Sequence, residues 1–307
     1  MTATEILLRV RNYDLAATLD SGQAFRWQRA EERGRPDREL RNHAGGPTAL
    51  LGCSWIGVIG KHEVRLTQTP EGIHAETNAP VSDWDFLRQF LQTEVDLAAV
   101  LKTFPDDEPM RAAVAACPGL RLLKQDPWEC LASFILSSTK QIVQIRQIIA
   151  LLCERFGDRL APEPMMPSDC FYSFPTPQQI AACTEAELRA CKMGFRAPNL
   201  LAAAREIAEG RFDLERIRRL PHAEARAELM NLRGVGGKIA DCVLLFAYGF
   251  DSAFPVDVWI ERALQRLYFP RRRASEPRLR RFAATHFGPH AGYAQQYLFH
   301  YMRTKLK

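Results

Sequence analysis

Met230-Asn231-Leu232-Arg233-Gly234-Val235-Gly236-Gly237-Lys238-Ile239-Ala240-Asp241-Cys242 is the stretch that decides the fold. Ala223 to Leu232 reads as a helix from its composition. Three glycines within four residues then break it, and Ile239, Val243, Leu244 and Phe246 resume helical spacing. The pattern is a helix, a tight glycine hairpin and a second helix, over about residues 223–250. Gly234, Gly236 and Gly237 let the backbone bend with positive φ and come close to another surface.

At the start of the second helix the backbone N–H groups point outward and carry partial positive charge, so phosphate is a natural ligand there. Lys238 falls at that positive end, an unfavourable place for a cation. An amine less inclined to hold its proton is a nucleophile; a solvated lysine touching phosphate is the plainer alternative. Asp257 then enters. A helix from Lys238 to Gly249 is roughly 18 Å long, and the loop at 250–257 can span about 20 Å back. The chain can therefore return Asp257 beside Lys238. Asp257 also precedes Val258-Trp259-Ile260-Glu261-Arg262-Ala263-Leu264 as a helix N-cap, and cap and catalyst are compatible roles.

The 307 residues, 47% hydrophobic, suffice for a full core in two or three packed subdomains. A net charge of +5 permits an acidic partner without requiring one. Met1 to Ile6 lacks a charged-then-apolar signal pattern and no stretch is long enough to span a bilayer, so a soluble intracellular protein is expected. Its compartment would be the cytoplasm or nucleoid of a bacterium, or the nucleus of a eukaryote. The eight cysteines include no Cys-x-x-Cys pair and none follows Cys242, which argues against a zinc site, a disulfide framework or an iron–sulfur cluster.

Residues 1 to about 80 alternate short apolar stretches (Leu7 to Val10, Ala49 to Leu51, Trp55 to Ile59, Val64 to Leu66) with Gly, Asn and Pro breaks, which predicts antiparallel strands. Glu31 to Arg41 reads as a charged loop. From Val81 onward the pattern is helical. Ser82 to Asp85 reads as a cap, Asp126-Pro127 starts a helix through Ile135, and Ser138 or Thr139 starts a longer one bearing Ile142, Ile145, Ile149 and Leu152. Thr184 to Glu187 reads as a capping box on a short helix that Gly194 closes; 162–177 is a Pro-rich connection. Arg271-Arg272-Arg273 is a basic run, more often a solvated loop than a binding site.

Leu232 to Lys238 with Phe254-Pro255-Val256-Asp257 resembles the helix–hairpin–helix DNA glycosylases, with their Gly/Pro-rich loop and aspartate. The lysine is similar to that of the bifunctional members, which combine base excision with strand cleavage. Ser21-Gly22-Gln23-Ala24-Phe25-Arg26-Trp27 resembles a segment of the 8-oxoguanine DNA glycosylases in which the glycine carbonyl accepts the N7–H found only on the oxidised base. The resemblance implies an α+β fold. An N-terminal antiparallel β subdomain (1–80) would pack on a larger all-α glycosylase domain (81–307), with the hairpin at about 223–250 and the Gly/Pro–Asp loop at 250–257.

Further segments extend it. Ser137-Ser138-Thr139 resembles a Ser-Ser-Asn segment, with Thr139, Lys140 and Gln144 in place of polar readers. Gly194-Phe195-Arg196-Ala197 resembles a segment that wedges an aromatic into the base stack and contacts the orphaned cytosine through arginine. Gly292 to Phe299 resembles the helix that carries a glutamine and a phenylalanine into the base pocket. The implied site is Lys238 and Asp257 for catalysis, and Gly22, Cys242, Gln295 and Phe299 around the flipped base. Thr139, Gln144, Phe195, Arg196, Gly234, Val235 and Gly236 would meet DNA. The implied partner is double-stranded DNA containing oxidised guanine, the enzyme a monomer, and no metal, cofactor or membrane is called for. Trp259 stands where the animal and fungal enzymes carry histidine, which puts a phosphate contact in doubt. A glycosylase for other damaged purines, or a non-catalytic helix–hairpin–helix DNA-binding module, are the competing readings.

Overall fold

The computed structural model describes residues 3–30, 53–160, 172–271 and 273–305. The N-terminal part holds β1 (Ala3–Leu8), α1 (Leu15–Asp20), β2 (Trp27–Arg29), β3 (Ser54–Ile59), β4 (His62–Thr69) and β5 (Gly72–Val81). The strands form one antiparallel sheet of order β1-β5-β4-β3-β2. Alternation explains it: Val64, Leu66, Ile73 and Ala75 are buried on one face, with Trp55. Trp27 pairs with Gly57, where a Cβ would lie 2.5 Å from the indole, so the glycine makes room for the ring. Strand β1 starts at Ala3 and ends at Leu8, earlier than the expected Leu7 to Val10. Helix α1, capped by Asp14, interrupts what its sequence suggested was an all-strand region. The expected strand at 49–51 and loop at 31–41 lie outside the described residues.

The helical part follows with α2 (Asp85–Leu91), α3 (Leu97–Leu101), α4 (Glu108–Ala116), α5 (Pro127–Leu136), α6 (Ile142–Phe156), α7 (Pro177–Ala181) and α8 (Glu185–Ala190). Then come α9 (Ala197–Ala208), α10 (Leu214–Ile217), α11 (His222–Met230), α12 (Gly237–Val243), α13 (Val258–Tyr268), α14 (Glu276–His286) and α15 (Ala291–Thr304). Helix α5 is buried from Cys130 to Leu136 and forms the centre of the helical core; α12 and α9 pack on it. No helix among the described residues is long and apolar enough to cross a membrane. Of the basic run, Arg272 lies outside the described residues.

Several expected boundaries move. Helix α6 begins at Ile142, not at Ser138 or Thr139: Thr139 takes φ 56° in a separate turn, and Gln144 Oε1 accepts from the Gln141 N–H at 3.2 Å. Gly194 does not close α8, which ends at Ala190; with φ 59° it opens a 3-10 turn, Gly194–Arg196, leading into α9. The predicted single helix from Lys238 to Gly249 is α12 followed by a wider π turn, Leu244–Tyr248. The Ser82–Asp85 cap is loose: Trp84 takes the cap position, and Asp83 Oδ1 accepts from Asp85 N at 3.1 Å.

The two parts are clasped by Gln23. Its amide nitrogen reaches the Thr18 carbonyl (3.0 Å), Ser21 Oγ (2.9 Å) and the Arg121 carbonyl (2.8 Å), and its Oε1 accepts from Leu123 N (2.8 Å). Gln125 donates to the Gln23 carbonyl at 2.7 Å and Gln296 to the Ser21 carbonyl at 2.9 Å. A second clasp lies under the hairpin. Asp241, buried on α12, accepts from Arg226 Nε (2.6 Å) and Arg280 (3.3 Å), joining α11, α12 and α14. Breaking it leaves two guanidinium groups facing each other. Asp241→Ala is expected to lower unfolding stability by about 2–3 kcal/mol, read from the shift of the urea denaturation midpoint.

Candidate active site

The hairpin is shaped by side chains behind it. Gly234 has φ 82°, and a Cβ there would lie 2.5 Å from the Asn199 amide, so neither conformation nor space admits a side chain. Gly236 meets nothing within 4 Å and faces outward, while a Cβ on Gly237 would strike the Arg226 guanidinium. Val235 is buried in the core between them, so this residue offers the outside its backbone only. The N–H groups that open α12 follow directly.

Lys238 is the second residue of α12. Its Nζ donates to Ser137 Oγ at 3.1 Å and lies 5.1 Å above the Phe134 ring. Asp257 caps α13, its Oδ1 accepting from Ile260 N at 2.8 Å. Burial raises the Asp257 carboxyl above its ordinary range, against the opposing pull of the Ile260 N–H and of Lys238. Cys242, buried one turn after Lys238, has its thiol pushed up to about 12 by burial, with Lys238 opposing and Asp257 reinforcing. These three groups thus lie within electrostatic reach of one another. The thiol stays neutral at physiological pH, which makes it a packing surface rather than a nucleophile.

A second cluster of the expected site residues comes from the chain ends. Gly22 has φ 78°, and a Cβ there would lie 2.9 Å from Ile142 Cδ1, 3.5 Å from Phe299 Cε1 and 3.6 Å from Arg303 Nη1. Gly22 and Phe299, nearly the whole chain apart in sequence, are therefore neighbours. Arg303 stacks its guanidinium 5.3 Å above the Phe299 ring, and burial lowers its pKa from the usual arginine range. Gln295, one turn before Phe299 on α15, is buried with no hydrogen-bond partner for its Oε1. Such an acceptor costs about 1–3 kcal/mol where nothing donates to it.

The expected DNA contacts divide. Phe195 is 57% exposed and so is no part of the core. Arg196 beside it is only 3% exposed: its Nε donates to the Ser138 carbonyl at 2.8 Å, its Nη1 to the Met193 carbonyl at 3.1 Å, and its Nη2 to Thr139 Oγ1 at 2.6 Å. Its guanidinium also lies 4.2 Å over the Phe195 ring. The arginine that the resemblance gives to the orphaned cytosine is turned inward. Burial lowers its pKa from the usual arginine range. Thr139 and Gln144 are exposed, and Trp259 is half-buried with the Arg262 guanidinium 5.7 Å over its ring. The sequence reading missed Phe134, Ile142 and Arg303 as neighbours of the site, and Ser137 as the partner of Lys238. Arg303, four residues after Phe299 on one helix, carried a legible signal; the other three required the tertiary fold.

Comparison with known proteins follows the same line. Residues 5–131 match the 8-oxoguanine DNA glycosylase, N-terminal domain, and residues 132–288 match the HhH-GPD superfamily base excision DNA repair protein family. A probable N-glycosylase/DNA lyase of Methanothermobacter thermautotrophicus is 32% identical, over 66% of this chain and 69% of its own. An N-glycosylase/DNA lyase of Saccharomyces cerevisiae is 30% identical over 83% of this chain and 68% of its own. Among solved structures, a Clostridium acetobutylicum 8-oxoguanine glycosylase/lyase bound to double-stranded DNA with cytosine opposite 8-oxoG superposes with TM-score 0.86 at 30% identity. That match covers 100% of this chain and 99% of the other. A 3-methyladenine DNA glycosylase of Archaeoglobus fulgidus shares the fold, with TM-score 0.71 and 22% identity over 98% of each chain. The chain belongs to the 8-oxoguanine DNA glycosylase family of the helix–hairpin–helix base-excision repair superfamily.

Proposed function

We propose that this chain is a bifunctional DNA glycosylase/AP lyase that excises 8-oxoguanine from duplex DNA and nicks the strand. The observation that supports it is Lys238 at the start of α12, its Nζ held by Ser137 Oγ at 3.1 Å, with Asp257 capping α13 within reach of its charge and Gly22 packed against Phe299. The damaged nucleotide rotates out of the stack, because its glycosidic carbon is unreachable inside the duplex. Its base lies between the neutral Cys242 thiol and the Phe299 ring. The Gly22 carbonyl accepts the N7–H of the oxidised base and would be repelled by the N7 lone pair of guanine. Gln295, with its unpartnered Oε1, hydrogen-bonds the Watson–Crick edge.

Lys238 attacks C1′ through its nitrogen lone pair while the bond to the base breaks, and Asp257 stabilises the positive charge on the sugar. Ring opening gives a Schiff base on Nζ. Loss of a C2′ proton then expels the 3′ phosphate by β-elimination. The outward hairpin backbone at Gly234, Val235 and Gly236, with the α12 N-terminus, holds a backbone phosphate. Residues 1–80 supply the Gly22 wall and residues 81–307 the chemistry. Phe195 fills the gap left in the stack, and Arg196, once released from Ser138 and Thr139, reads the opposite base, where Thr139 and Gln144 stand in place of the polar readers. The enzyme acts as a monomer inside the cell, where its DNA is.

A glycosylase for other damaged purines shares the fold but has no use for a carbonyl that reads N7–H; a pure DNA-binding module has no use for Lys238 beside Asp257. Borohydride trapping on a duplex with one 8-oxoguanine opposite cytosine separates the three. Wild type is expected to give a covalent adduct and a nick only on damaged DNA. Lys238→Gln should lose the adduct yet still bind.

Asp257→Asn is expected to lower excision by about 10²–10⁴-fold in single-turnover assays. It should also raise stability at neutral pH. The folded carboxyl is raised above its unfolded value, so its ionisation opposes folding: stability is fully present below the ordinary aspartate range and is lost as pH rises through the raised value. Asparagine keeps the cap without the charge. Urea midpoints of variant and wild type should therefore converge in acid and separate at neutral pH. Opposite-base preference should also be relaxed, by about 1–3 kcal/mol per contact that Thr139 and Gln144 fail to make, measured as excision rates opposite each of the four bases.

A further inference from the structure

Ser137 Oγ lies 2.7 Å from the Phe134 carbonyl, to which it donates its single proton, and 3.1 Å from Lys238 Nζ. With that proton committed, the hydroxyl meets the amine through lone pairs alone and acts only as its acceptor. The last turn of α5 thus sets the direction of Nζ. On the next two residues of the same turn, the Ser138 carbonyl and Thr139 Oγ1 both accept from Arg196, the latter at 2.6 Å. Thr139 is held at φ 56°, a region that β-branched residues rarely enter. Arg196 in turn stacks 4.2 Å from the exposed ring of Phe195. Contacts therefore run without a break from Phe195 through Arg196, Thr139 and Ser138 to Ser137 and Lys238.

We infer that Ser137 and Thr139 are positioning residues forming a relay, in which engagement of the opposite strand by Phe195 and Arg196 sets the placement of Lys238 Nζ. The inference rests on the reading of Lys238 as nucleophile. Arg196 cannot swing toward DNA while it holds Ser138 and Thr139. Releasing them frees a strained turn whose first residue holds the amine. A two-position element biased from both ends is what such coupling requires, and it is measured as non-additivity.

The test compares wild type, Ser137→Ala, Ser137→Thr, Thr139→Val and the Ser137→Ala/Thr139→Val double variant. Duplexes carry 8-oxoguanine opposite cytosine or opposite a stable abasic analogue. Single-turnover excision at saturating enzyme, DNA affinity by anisotropy and borohydride adduct yield are read for each. Ser137→Ala and Thr139→Val should each slow excision by about tenfold while binding is retained. The double variant should be no slower than the slower single. Ser137→Thr, which keeps the hydroxyl, should restore the rate, and the advantage of cytosine over the abasic analogue should shrink in Ser137→Ala. Losses that multiply in the double variant, or that follow DNA affinity, overturn the relay while leaving the lysine mechanism intact. A wild type that gives no adduct overturns the nucleophile reading and the relay with it.

Discussion

The hydrogen bonds of the Gln23 side chain are the constraint on which the pocket depends. Gly22 carries a positive φ and lies against Phe299, a geometry that a free turn would not hold. It is held because the next residue fastens the turn to the Arg121 and Leu123 backbone, while Gln296 fastens the preceding one to α15. The same bonds join the sheet to the helical core, since each neutral hydrogen bond at a buried site contributes about 1 kcal/mol net but costs more when left unmade. Ser21 and Gln23 are therefore scaffold, and the glycine between them is the part that the proposed function gives to the ligand.

Burial then sets the chemistry. Cys242 and Asp257 sit where charge is poorly solvated, and burial raises both above their ordinary ranges, with the Lys238 charge opposing. The thiol is silenced and left to pack. The aspartate is kept from ionising freely except by the cap N–H and the lysine, so its cap role and its place beside the amine are one interaction seen from two sides. Behind them the Arg226–Asp241–Arg280 cluster fixes the pitch of α12 and so the outlook of Lys238; Asp241 is the residue before Cys242, on the face turned away from the site.

Much of this was legible in the sequence because it was local. The Asp257 cap, the glycine hairpin, the helix of α5 and the alternation of β4 follow from spacing and backbone preference. What escaped was set by tertiary contact. Thr139 and Gly194 read as a helix start and a helix end, but each adopts a left-handed conformation that neighbouring structure imposes. Continuous apolar spacing from Ile239 to Phe246 hid the π turn, because both helix types bury the same residues. Ser137 was visible as a motif letter without its partner, for its contact to Lys238 spans 101 positions. Arg196 was legible only as a letter of a DNA-contacting motif, and only the fold shows its donors already engaged.

Exposed apolar side chains close the argument from the outside. Leu7, Val143, Phe195, Met230 and Val258 are the large hydrophobics left exposed among the described residues. All but Leu7, on β1, adjoin a candidate site segment: Val143 precedes Gln144, Met230 enters the hairpin, Val258 follows Asp257, and Phe195 tops the 3-10 turn. Leaving such groups in water forgoes the roughly 25 cal/mol per Å² that burial would return. Under the proposed function a surface that flips a base must offer something apolar to the stack it opens, and the exposed Phe195 ring, with the Arg196 guanidinium 4.2 Å from it, would meet that need.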